Sequence, residues 1–255
     1  MARIFITGST QGLGRGAAES LIEGGHAVVL HARDRSRVEA VAGLADRAAG
    51  VVVGDLASRE ETLALAEQVN ALGRMDAVIY NAGVYTESER SGTPEGHPRV
   101  LAVNLLAPYL LTALLERPDR LVYLTSGLHR GGDPSLRDVE WTARRWNPMQ
   151  AYSDSKLYLT ALAFGLARRW PGVRSNAVDP GWVPTRMGGP NAPGDLQTGH
   201  ETQAWLAASD DPEAAVSGGY WFHRSRREPA APVSDERFQE AVLAELARLT
   251  GVELP

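Results

Sequence analysis

Residues 3–14 read Arg3-Ile4-Phe5-Ile6-Thr7-Gly8-Ser9-Thr10-Gln11-Gly12-Leu13-Gly14. The apolar run Ile4-Phe5-Ile6 has the make-up of a buried strand, and an amphipathic stretch follows over about 13–24. A glycine-rich turn between a strand and a helix is the setting in which this pattern binds a dinucleotide. Gly8 permits the tight turn, Gly12 lets the backbone approach a pyrophosphate, and Gly14 lets helix and sheet pack closely. The phosphates would sit at the helix N-terminus, where free N–H groups and the dipole favour anions. Ser9, Thr10 and Leu13 complete this candidate cradle. Its spacing, GxxxGxG, differs from the commoner GxGxxG fingerprint.

Outward from this turn, short β-rich runs alternate with amphipathic helical ones, the pattern of a parallel sheet covered on both faces. Strands are expected at 3–7, 27–31, 51–53, 76–80, 120–125, 173–178 and 219–222, and helices at about 13–24, 35–46, 58–72, 97–115, 151–169, 200–208 and 235–249. Stretches 127–150 and 181–199 remain as long irregular loops, the second rich in Gly and Pro. The fold class is α/β, doubly wound, and residues 1–255 read as one domain.

Composition narrows the function. Apolar residues make up 44% and charged residues 22%, so a packed core is expected rather than disorder. A net charge of −5 without a basic run argues against nucleic acid or an anionic membrane as partner. The absence of cysteine excludes disulfides, a thiolate nucleophile and Cys-held metals. Met1-Ala2-Arg3 leads directly into the first strand and no apolar run approaches ~18 residues, so a soluble cytoplasmic protein is expected.

The second strand of a dinucleotide fold often ends in an acid that binds the ribose 2′-hydroxyl, whereas an arginine there suits a 2′-phosphate. Here Ala32 stands at that position and Arg33 follows, which favours NADP over NAD. Asp34 leaves NAD open, and Arg35 and Arg37 read equally as a solvated helix start. Asp55, followed by Leu56, is a candidate to accept from the adenine amino group or to act as an N-cap.

Tyr152-Ser153-Asp154-Ser155-Lys156 puts a tyrosine and a lysine one helical turn apart on one face. A phenol titrates near ~10, and a close ammonium is expected to favour its phenolate and move it into a useful range. Together with Thr7–Gly14, Asn81-Ala82-Gly83, Asn104, Ser126 and Pro180-Gly181 followed by Thr185, this order of motifs resembles the short-chain dehydrogenase/reductase family over about residues 3–225. Ser155-Lys156-Leu157 and the long stretch before Tyr152 look most like its retinol-dehydrogenase and protochlorophyllide-reductase-like branch, and like bacterial polyketide ketoreductases.

The resemblance implies a seven-stranded doubly wound sheet and hydride transfer between a nicotinamide cofactor and a carbonyl or alcohol. It makes Tyr152 the proton donor, Lys156 its partner on the nicotinamide ribose, and Ser126 a donor to the substrate oxygen. Asn104 would hold a helix open around a water that links Lys156 to solvent. Asn81, Ala82, Gly83, Pro180, Gly181, Val183 and Thr185 would join the cofactor site, Thr185 on the carboxamide. No metal is required. Association into a dimer or tetramer through helices 97–115 and 151–169 is a further expectation from the resemblance.

Two departures stand out. Tyr80 precedes Asn81 where a second Asn is frequent, and Ser126 and Tyr152 are 26 positions apart, about twice the family's usual spacing. The extra residues should cover the active site. Leu128, Trp141, Trp146, Trp182, Met187 and Trp205 are candidate pocket walls for a bulky apolar or aromatic compound. Loop 181–199 reads as a lid, and His129 and His200 as surface residues within reach of substrate. A sugar-nucleotide epimerase is disfavoured by length and glycine spacing, and a methyltransferase has no need of the Tyr/Lys pair. A nucleotide-sensing regulator without turnover would be expected to lack Tyr152 or Lys156.

Overall fold

The computed structural model describes residues 1–85 and 87–255. In chain order its first half runs β1 (Arg3–Ile6), α1 (Gly12–Glu23), β2 (Ala27–Ala32), α2 (Arg35–Glu39), α3 (Ala42–Ala45), β3 (Gly50–Val53), α4 (Arg59–Ala71) and β4 (Ala77–Tyr80). Next come α5 (Arg99–Leu101), a π-helical turn (Ala102–Leu106), α6 (Ala107–Leu114), β5 (Arg120–Leu124) and α7 (Pro148–Arg169). The chain continues with β6 (Arg174–Asp179), α8 (Leu196–Ala208), β7 (Gly219–Phe222), β8 (Ser225–Arg227) and α9 (Glu236–Thr250). One sheet has the order β3-β2-β1-β4-β5-β6-β7-β8.

Strands β1 to β7 are parallel and β8 is antiparallel to β7. The sequence order reverses between β1 and β4, and the crevice outside the carboxyl ends of strands at such a switch point is where ligands bind.

The two-residue period of the strands sorts their side chains between two cores. Phe5, Val78, Tyr80, Leu121 and Tyr123 face α4, α6 and α7, where they meet Leu65, Val69, Leu111, Leu162 and Leu166. Ile4, Ile6, Leu30, Ile79, Val122 and Val178 face α1 and α8, where they meet Ala17, Leu21 and Leu206. Tyr80, the departure before Asn81, is wholly internal. It stacks on Tyr123 with centroids 4.6 Å apart, and the Thr112 hydroxyl bonds both phenols.

Several expectations need correction. Eight strands, not seven, are present among the described residues. The extra one closes a hairpin whose tip, His223 and Arg224, takes φ of 49° and 58°. Such a turn normally announces itself by Asn or Gly, and neither is there. Stretch 35–46 breaks into α2 and α3. Helices α7 and α8 begin ahead of their expected starts because Asn147 and Asp195 cap them, accepting from the Gln150 and Thr198 amides. Part of each loop is therefore helix.

The 97–115 helix is not uniform either. Pro108 has no N–H to give the carbonyl four residues back, that of Asn104. The chain widens there into a π turn, in which the Ala107 N–H reaches the Ala102 carbonyl five residues back. Single π turns of this kind occur frequently at functional sites.

Candidate active site

At the nucleotide end the backbone itself forms the recess. Gly8 and Gly12 have φ of 64° and 54°, conformations that side chains rarely take. A Cβ on Gly14 would lie 2.3 Å from Asn81 Nδ2 and 2.4 Å from the Gly8 carbonyl, so only glycine fits. Asn81 donates from Nδ2 to the carbonyls of Thr7 and Gly8, and the Ala82 N–H donates to Thr7 Oγ1, tying the β1 and β4 ends together. Gln11, at the N-cap of α1, turns its side chain to Arg37, and the first turn holds no acid. The first N–H groups of α1 are thus left to face an anion. A cradle of this shape and polarity fits a dinucleotide pyrophosphate.

Around it, Arg33 is half-exposed and touches Asp34, which caps α2 by accepting from the Arg37 amide. Asp55 accepts from the Ala57 amide within its own turn, while Ser58 caps α4. Leu56 is buried in the core. Ser9 is internal, its hydroxyl accepting from the His31 amide, and Thr10 is half-buried. From the far side the Thr185 methyl comes 3.2 Å from where a Gly12 Cβ would be, and the Thr185 hydroxyl accepts from the Gly188 amide. Gly181, at φ 79°, turns the chain after Pro180, and Val183 is buried.

The chemical end is made of buried side chains. Lys156 is 4% exposed and donates from Nζ to the Leu124 carbonyl at 2.8 Å. Its ammonium lies 5.7 Å from the centre of the Tyr152 ring. Thr125 and Thr160 both donate to the Lys156 carbonyl, fixing this part of α7 against the end of β5. The Ser126 hydroxyl accepts from the Leu128 amide, and its side chain is near enough to the Tyr152 phenol to favour the phenolate.

Asn104 is fully buried. It accepts from the Val84 amide at 2.8 Å and donates to the Val84 carbonyl and to Ser155 Oγ. Gly83 lies between these groups: a Cβ there would be 3.4 Å from Asn104 Oδ1 and 3.5 Å from Lys156 Nζ. The π turn, the end of β5 and α7 thereby meet next to the glycine turn.

The ionisation of this set corrects one expectation. Burial pushes the Tyr152 phenol up to about 12, and the contact with Ser126 only partly opposes it. Burial also pushes Lys156 down to about 8, with the Asp179 charge opposing it. Both groups are dry, so desolvation of each charged form outweighs the help that an ammonium gives a phenolate. Asp179, at the end of β6, accepts from the Tyr220 hydroxyl and the Gly181 amide at 2.9 Å each. Its charge disfavours the Tyr152 phenolate. Sequence reading passed over Asp179, and its place beside Pro180-Gly181 is the only signal it leaves there.

The extra residues before Tyr152 pack beside it. Trp141 and Tyr152 share one buried cluster, with Trp146 at its margin and Tyr85 set edge-on to the Tyr152 ring at 4.7 Å. The segment is held to α7 by buried Asp154, which accepts from the Asp133 amide, Gln150 Nε2 and the Arg144 guanidinium. Leu136, Asp138 and Trp141 take φ of 56°, 52° and 55° within it. Asp138 gathers the amides of Thr142, Ala143 and Arg144, which holds its carboxyl well below the usual range.

Some wall candidates move inward. Trp205 is in the core against Trp221, and Trp141 is covered. His129 is fully buried, donating from Nδ1 to the Ser126 carbonyl and accepting the Ala230 amide at Nε2. His200 is buried between α1 and α8, bonded to Ser20. Neither is a surface residue. The apolar side chains left exposed near the site are Leu128, Met149, Trp182, Met187 and Leu196. Met187 comes closest, its methyl 3.9 Å from a Gly83 Cβ position.

A glycine cradle at the switch point of a doubly wound sheet, with tyrosine, lysine and serine beside it, defines a dinucleotide-dependent oxidoreductase. The family model described as enoyl-(acyl carrier protein) reductase matches residues 8–217. A short-chain dehydrogenase of Gibberella zeae, chry4, is 42% identical, with 100% of this chain and 99% of that protein covered. Human retinol dehydrogenase 13 is 29% identical over 99% of this chain and 85% of its own length. A crystal structure of a Mycobacterium paratuberculosis protein superposes with a TM-score of 0.85 at 26% identity, covering 100% of this chain and 95% of that one. The chain belongs to the short-chain dehydrogenase/reductase family.

Proposed function

We propose that this enzyme transfers hydride between NADP(H) and the carbonyl or alcohol of a bulky, apolar small molecule, with Tyr152 as proton donor. The observation that carries this reading is that Lys156 and Asn104 meet at Gly83, next to the glycine cradle, with the Tyr152 ring 5.7 Å from the ammonium and Ser126 near its phenol. The nicotinamide, when bound, supplies or accepts the hydride. Gly8, Gly12, Gly14 and the first turn of α1 would hold its pyrophosphate, Asp55 and Leu56 would flank the adenine, and Thr185 would reach over the turn.

A phenol held at about 12 is protonated at neutral pH and ready to donate. With Ser126 it offers two hydroxyl donors to an oxygen that gains negative charge as reduction proceeds. Lys156 limits the cost of the phenolate that remains, and Asn104 keeps the chain around it in register. Arg33 after Ala32 supports NADP over NAD. The exposed apolar rim supports a bulky apolar substrate, and no helix among the described residues is long and apolar enough to cross a membrane. Residues 1–255 would act as one catalytic unit, since α9 packs on α7 through Leu243 against Gly165.

The test is to follow loss of reduced-cofactor absorbance with a panel of aromatic ketones, aldehydes and quinones. Oxidation of NADPH faster than NADH by apolar carbonyls is expected. Binding of NADPH without turnover on any of them would sink the catalytic reading and favour a regulator.

A further inference from the structure

We infer that His31 is a positioning residue for the cofactor: one buried imidazole links the glycine turn to the end of β3 and so fixes the spacing of the two walls of the adenosine pocket. This rests on the reading of residues 8–14 as a dinucleotide turn.

His31 lies on β2, one residue before the position searched for a ribose-binding acid, and is 3% exposed. The Gly8 amide donates to Nδ1 at 2.9 Å. Nε2 is 2.8 Å from the Gly54 carbonyl, which can only accept, so Nε2 carries the proton and the ring is the neutral tautomer. The backbone repeats the linkage. The His31 amide donates to Ser9 Oγ at 2.9 Å, the Ser9 amide to the His31 carbonyl at 3.2 Å, and the Gly54 amide to the Ala32 carbonyl at 3.1 Å. Gly8 turns at φ 64° into the cradle, and Gly54 leads directly into Asp55 and Leu56. A side chain serving only as core filler would not need an acceptor at one ring nitrogen and a donor at the other, each matched to a different loop.

The arrangement tolerates only the neutral ring. A second proton would put N–H against the Gly8 N–H, and burial already pushes His31 below the ordinary histidine range. The charged group facing it is Asp55, beyond Gly54, which partly opposes that shift. Its other neighbours are uncharged: the Gly8 amide and the Ser9 hydroxyl from the turn, and the Phe5 ring edge-on from β1 at 6.5 Å. Arg33 and Asp34 follow in sequence and pair with each other at the surface. Because the folded value is lowered, cofactor affinity should be intact above it and fall as pH drops through it.

The experiment measures dissociation constants of NADH and NADPH by fluorescence, for the whole chain and its His31→Leu and His31→Gln variants, between about pH 5 and 8. NADH is the reporting ligand, because the 2′-phosphate of NADPH itself titrates, as phosphate monoesters do, near ~6. His31→Leu, which lacks both hydrogen bonds, should weaken both cofactors by a similar factor, about tenfold or more, with Kd changed more than kcat. His31→Gln keeps one acceptor and one donor and cannot be protonated. It should retain most of the affinity and lose the acid-side decline of the wild type. Wild-type NADH affinity in His31→Leu, or an NADH affinity in His31→Gln tenfold or more below wild type at neutral pH, would overturn the inference. If His31→Leu does not fold, the glutamine comparison decides alone. Failure of the wild type to bind either cofactor at any pH would remove the dinucleotide reading itself, an outcome distinct from binding that the variants leave unchanged.

Discussion

At the nucleotide end of the cleft the groups that would meet a ligand are mostly backbone: amides of the first α1 turn, left-handed glycines, and carbonyls held by Asn81. At the chemical end they are side chains buried against their ionic preference, Tyr152 pushed to about 12 and Lys156 to about 8. The first kind of site costs little stability, since its hydrogen bonds also hold the sheet edge together. The second is destabilising at Lys156, whose ammonium is charged at neutral pH and penalised by desolvation, whereas Tyr152 is neutral there whether folded or not. Binding and turnover should therefore respond to mutation separately, and the chemical end should be the part that loses stability for function.

The largest expected effect is on turnover. Tyr152→Phe, which removes the proposed acid, should lower kcat by more than ~10²-fold in steady-state assays while cofactor affinity survives. At the other end, Arg33→Ala should weaken NADPH about tenfold and NADH little, as read by titration with each cofactor. Equal losses for both would mean that Arg33 does not meet the phosphate.

Stability should distinguish the two ends as well. Lys156→Met, which should abolish turnover, should raise unfolding stability at neutral pH by about 1–3 kcal/mol in urea melts. The folded lysine titrates at about 8, below the unfolded ~10.5, so the unfolded chain binds a proton in that window that the folded chain does not. Wild-type stability thus rises with pH across it, and the advantage of the variant should shrink. A variant less stable than wild type at every pH would contradict the destabilising role of the buried ammonium. Asp154→Ala, which frees the segment before Tyr152 from α7, should cost about 1–3 kcal/mol and lower kcat severalfold with cofactor affinity unaltered.

The two ends also differed in how far the sequence exposed them. Strands such as Ile4-Phe5-Ile6 were readable because buried parallel strands are continuous apolar runs, and the glycine turn because each glycine answers a local backbone need. Tyr152 and Lys156 were readable from their helical spacing, but their ionisation was not, since desolvation depends on what the whole fold places around them. The strand β8 was missed because its turn uses His223 and Arg224 in place of Asn or Gly. His129 and His200 were misjudged as surface residues because a histidine satisfied by distant backbone, such as the Ala230 amide, leaves no periodic trace. The inward turn of Trp141 and Trp205 escaped notice for the same reason: their partners are tertiary.

The division of labour is tested most directly by measuring NADPH affinity and single-turnover hydride-transfer rate in wild type, Arg33→Ala, Tyr152→Phe and the double variant. The arginine change should act on affinity, the tyrosine change on rate by more than ~10²-fold, and the two free-energy losses should add in the pair. A Tyr152→Phe enzyme that keeps its rate, or that loses affinity as severely as rate, would contradict that division.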